Sequence, residues 1–79
     1  MTKQRKPYMV LTFSTTTAAM AMEKKCRENS IPGRLIPVPR EITAGCGLAW
    51  RISPEEYQSC REAVENLKIP VEETVLLEL

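Results

Sequence analysis

Gly47-Leu48-Ala49-Trp50-Arg51-Ile52-Ser53-Pro54-Glu55-Glu56 decides the fold, because one short stretch holds both a strand and the start of a helix. Leu48, Trp50 and Ile52 alternate onto one face, the period of a half-buried strand. Ser53 then offers its hydroxyl to the free backbone N–H groups of a helix, Pro54 suits the first helical position, and Glu56 closes a capping box. Tyr57, Cys60, Val64 and Leu67 recur at helical spacing, and Lys68-Ile69-Pro70 stops the pattern. Val71 to Leu77 reads as a last strand.

Working back from Gly47, Arg34-Leu35-Ile36-Pro37-Val38 reads as another strand. Pro37 assigns it to a sheet edge, since proline cannot donate to a ladder on both sides. Residues 39–45 form a loop. Upstream, Asn29-Ser30-Ile31-Pro32-Gly33 ends a helix that starts near Thr16 and carries Ala19, Met22 and Cys26 on one stripe. Tyr8-Met9-Val10-Leu11-Thr12-Phe13 is a nearly continuous run of β-favouring residues and so a buried central strand. The order is β-α-β-β-α-β, the ferredoxin-like α+β plan with two helices on one face of a four-stranded antiparallel sheet. That topology places Cys46 close to Ser14-Thr15-Thr16, where the first strand hands over to the first helix.

The chain of 79 residues is one domain, 1–79, with a basic leader over 1–6 expected to be flexible. It contains neither histidine nor aspartate, which removes Ser-His-Asp and Cys-His nucleophile pairs, histidine-bearing metal sites and aspartate-based magnesium cages. No cofactor is implied. The formal charge of +1 is too near neutral for a protein devoted to phosphate neutralisation, and Trp50 has no second interleaved aromatic, so nucleic-acid recognition lacks support. The charge is nevertheless uneven: residues 1–40 balance at +6 and residues 41–79 at −5. No apolar run approaches a membrane span and no signal-like segment follows the polar start. The expected location is the cytosol.

Three cysteines, Cys26, Cys46 and Cys60, match no zinc or redox spacing and form no disulfide framework. Cys26 and Cys60 lie on apolar helical stripes and are expected in the core. Cys46 lies between Gly45 and Gly47 in a loop, and is expected to be presented rather than packed. Three devices could stabilise its thiolate: the Arg40 guanidinium, the N-terminus of the first helix, and the hydroxyls of Ser14, Thr15 and Thr16. A plainer reading stays open, in which Gly45-Cys46-Gly47 enters a strand and the threonines cap a helix. Arg34 and Arg51 fall at the other end of the sheet and read as solvated surface residues.

Taken together, Tyr8 to Thr16, Leu35-Ile36-Pro37-Val38-Pro39-Arg40-Glu41-Ile42 and Gly45-Cys46-Gly47-Leu48 make the chain resemble the selenium/sulfur carrier-like family of small bacterial proteins. The most specific part is the P-R…C-G run from Pro39 to Gly47. The resemblance implies a cytosolic thiol carrier, with the motif on Pro39, Arg40, Cys46 and Gly47. Cys46 would hold a persulfide or selenosulfide and deliver it to a partner, without turning over substrate itself. The implied partners are a cysteine desulfurase or a selenium-metabolism enzyme such as selenophosphate synthetase, with no nucleic acid and no membrane; a homodimer stays open. Two other readings survive: a regulatory domain binding an anion at Arg40 and the first helix N-terminus, which tolerates Cys46→Ser, and a structural subunit that needs neither residue.

Overall fold

The computed structural model describes residues 5–42 and 46–79. Its elements are β1 (Pro7–Phe13), α1 (Thr16–Glu28), β2 (Arg34–Pro37), β3 (Leu48–Ile52), α2 (Pro54–Asn66) and β4 (Val71–Glu78). The sheet runs β2-β3-β1-β4, all neighbours antiparallel, so the fold is the ferredoxin-like β-α-β-β-α-β arrangement. β1, the most apolar strand, lies inside the sheet. β2, with Pro37, forms one edge.

Alternation along β1 gives the sheet two apolar faces. Leu11 and Phe13 pack with Trp50 and Ile52 of β3 beneath Ala18, Ala19, Met22 and Cys26 of α1 and Val64 of α2. Full burial of a side chain such as Phe13, Leu11 or Met22 stabilises by about 1.5–3 kcal/mol, so this layer is the main core. On the face without helices, Val10 and Ala49 are fully buried although no element lies over them. Their cover is Ile42, 8% exposed, which the Pro39–Ile42 turn folds onto this face; the Ile42 N–H donates to the Pro39 carbonyl at 3.0 Å.

Helix ends follow the local chemistry with one shift of register. The N-cap of α1 is Thr15, whose hydroxyl accepts from the Ala18 N–H at 3.1 Å. α2 is capped by Ser53, which accepts from the Glu56 N–H at 3.2 Å and donates to the Glu56 carboxylate at 2.9 Å. The turn after α1 uses Ser30, not Gly33, as its left-handed residue (φ 55), and the Ile31 N–H reaches back to the Cys26 carbonyl at 2.8 Å. Gly33 (φ 126) serves packing instead: a Cβ there would run into the Trp50 indole and stand 2.8 Å from the Arg51 carbonyl. Lys68 (φ 56) takes the same left-handed role after α2.

The two sheet edges differ. Val38 donates to the Gly47 carbonyl at 3.0 Å, and the ladder alternates from there, so the backbone of Leu35 and the position of Pro37 face outward from β2. Pro37 therefore deletes an outward donor. At the opposite edge Lys6 and Leu79 exchange two hydrogen bonds of 3.0 and 2.9 Å, which ties the last residue of the leader to the sheet. Alternation from that pair turns the N–H and C=O groups of Thr74, Leu76 and Glu78 away from β1. Glu72 is an extra residue opposite Thr12 and Phe13, a β-bulge, and the buried Thr12 hydroxyl accepts the Glu73 N–H at 3.1 Å.

Candidate functional site

Cys46 is held at the end of the sheet by its own backbone. Its N–H donates to the Phe13 carbonyl at 2.9 Å, which fixes the cysteine beside the turn between β1 and α1. The placement expected from topology next to Ser14-Thr15-Thr16 follows from this bond. Ser14, Thr15 and Thr16 are all exposed. The Thr15 hydroxyl already accepts the Ala18 N–H, while the first turn of α1 carries no acidic residue to offset the positive end of the helix. Gly47 (φ 93) has open space where a side chain would project. Gly45 lies outside the described residues.

The sulfur itself is less displayed than its glycine flanks predict. Cys46 is half-buried and packs against the helix-side core, and its Sγ donates weakly to the Leu48 carbonyl at 3.9 Å. A carbonyl acceptor suits the neutral thiol. Cys60 is half-buried as well, which corrects the expectation of a core position; its place on α2 lies at the margin of the helix layer, where Val64 is the one buried residue of that helix. Cys26 alone is sealed, with no exposed surface. Burial, and secondarily the proximity of Cys60, pushes its thiol from 9.0 up to about 11.

Arg40 is exposed in the Pro39–Ile42 turn, which is anchored by Ile42 to the helix-free face, whereas Cys46 packs on the helix side. Among the described residues, neither ion pair involves Arg40 and no hydrogen bond joins it to Cys46. Arg51 is not simply solvated: its guanidinium lies 4.5 Å from the Tyr8 ring centroid, and it faces Arg34 across the β2–β3 ladder. Sequence reasoning passed over Thr12 and Ile42. The polar break in the β1 run signals the first, and an isolated isoleucine in a polar loop signals the second.

Among the described residues, no group of three His, Cys, Asp or Glu side chains could hold a metal, and no helix is long and apolar enough to cross a membrane. A family model described as "Putative Se/S carrier protein-like" matches residues 8–76. The chain belongs to that family. The match runs from the first residues of β1 to Leu76 in β4, so it takes in Arg40, Cys46 and the β1–α1 turn. No curated protein and no solved structure matches the chain.

Proposed function

We propose that the protein carries a sulfur or selenium atom on Cys46 and passes it to a partner enzyme. The observation that carries this reading is the Cys46 N–H bond to Phe13, which sets the family's motif cysteine at the mouth of a helix N-terminus with no acidic residue in its first turn. Loading is a thiol exchange. The Cys46 thiolate attacks the terminal sulfur of a donor cysteine persulfide, the donor S–S bond breaks, and the donor leaves as a thiolate that takes up a proton. The sulfane sulfur remains on Cys46 as a persulfide, and no external oxidant or reductant is consumed. Delivery is the reverse displacement, in which an acceptor nucleophile takes the outer atom and Cys46 returns to its thiol. A donor carrying selenium gives the selenosulfide by the same exchange.

The contact between the Cys46 thiol and the Leu48 carbonyl holds the sulfur half-covered at rest. The exposed hydroxyls of Ser14 and Thr16, beside which the Phe13 bond sets Cys46, can donate to negative charge on the sulfur. A cysteine desulfurase, or a selenium-metabolism enzyme such as selenophosphate synthetase, is the matching partner class.

The test is to incubate the reduced protein with a cysteine desulfurase and cysteine and map adducts by mass. The expected product is a gain of ~32 Da at Cys46 that a reductant removes. Cys46→Ser abolishes loading and leaves the fold intact. Adduct confined to Cys60, or none with any persulfide or selenosulfide donor, refutes the carrier reading and favours an anion-binding domain at Arg40 and the α1 N-terminus.

A further inference from the structure

The folded chain separates its charge. From Pro54 to Leu79, which forms α2 and β4, there are seven glutamates against Arg61 and Lys68, a balance of −5. Arg61 is itself paired with Glu65 at 3.4 Å. β4 carries Glu72, Glu73 and Glu78 and no basic residue. It is also the open edge of the sheet, with the backbone groups of Thr74, Leu76 and Glu78 turned outward.

A groove of about 350 Å³ runs between α2 and β4, lined by Tyr57, Val64, Glu65, Ile69, Val71 and Thr74. Leu76 continues it along the strand at 60% exposure, large for a leucine in a sheet. Leu11 and Met9, the partners of Thr74 and Leu76, belong to the helix-side face, so Thr74 and Leu76 project to the side on which the groove lies. The residues whose backbone is free are thus the ones whose side chains border the groove. A strand laid on this edge would place alternate side chains beside Leu76 and into the groove.

We infer that the β4 edge is a docking site for an extended basic segment of a partner protein, which adds a fifth strand to the sheet. Unpaired backbone groups supply main-chain hydrogen bonds, the groove takes aliphatic side chains, and the glutamates select lysine or arginine in the segment. A second copy of the chain is the weaker occupant, since pairing two β4 strands brings six carboxylates and no cation to the seam. The inference stands whether or not Cys46 carries an atom.

The probe is a short synthetic peptide alternating valine and lysine, titrated into the full chain while backbone amide exchange is followed. Binding should protect the amides of Thr74, Leu76 and Glu78 and weaken as salt is raised. Leu76→Pro removes an outward donor while sparing the β1 ladder, and should weaken binding about tenfold. Should that variant fail to fold, the charge reversal Glu72→Lys with Glu78→Lys should lower affinity by a similar factor of about ten. Equal binding of a valine–glutamate peptide overturns the inference, as does protection of the β2 edge or the helix-free face. Protection of the same β4 amides in concentrated protein without peptide assigns the edge to a second copy and overturns it too.

Discussion

Cys26 is the residue whose chemistry burial determines most fully. Its thiol is pushed up to about 11, so the folded chain keeps a proton that the unfolded chain releases near 9.0. Stability from this site is therefore complete below pH 9 and lost as pH rises through 11, by about 2–3 kcal/mol in all. Denaturant midpoints measured across that range should fall in the wild type, and Cys26→Ala should flatten the slope at a cost of about 1–2 kcal/mol at neutral pH. Alkylation should follow exposure: Cys26 slowest, with Cys46 and Cys60 both modified in the folded state. Exposure alone thus does not single out Cys46; what distinguishes it is the Phe13 bond that sets it beside the turn between β1 and α1. Its glycine flanks announced a loop, while the core contact that half-covers the sulfur depends on how the loop closes, and no short-range pattern encodes that. Gly33 and Gly47 make a second residue-scale contrast. Both have positive φ, but a Cβ meets the Trp50 indole at Gly33 and open space at Gly47. By thermal unfolding, Gly33→Ala should cost about 3 kcal/mol or more and Gly47→Ala about 1 kcal/mol.

Among the elements, the two helices were readable to within a residue because their caps are local. Ser53 and Thr15 act through hydrogen bonds within a single turn, so the type and order of side chains carry the signal. Helix C-termini were also signalled, by Asn29-Ser30-Ile31-Pro32-Gly33 and Lys68-Ile69-Pro70, although the residues that take the left-handed backbone are Ser30 and Lys68 and not the usual glycine. Replacing either by glycine should relieve that strain and stabilise the chain by about 1 kcal/mol, measured by denaturant unfolding. The β4 bulge was invisible in sequence because it exists only as a register between β4 and β1. Thr12→Val tests its closure: the substitution keeps shape but strands the Glu73 N–H, and should cost about 1–3 kcal/mol. Pro37 by contrast was legible, because a missing donor constrains where a strand can lie in any sheet.

For the whole molecule, the order of strands was legible from the alternation of periods along the chain, and the acidic excess of the second half of the sequence collects on α2 and β4, whereas α1 and β2 together balance at only +2. Restoring the outward donor with Pro37→Val should leave the unfolding midpoint nearly unchanged yet produce light scattering at high protein concentration, where the wild type stays clear. The reason lies in the unequal edges. Fibrous stacking needs every molecule to offer two faces, one to receive a neighbour and one to pass the pattern on. On the β2 side the outward donors reduce to Leu35, because Pro37 has none, whereas the β4 side keeps three, so the two edges offer a neighbour unequal pairing. Propagation of strand stacking through the β2 side is thereby disfavoured, whatever strand pairs with β4.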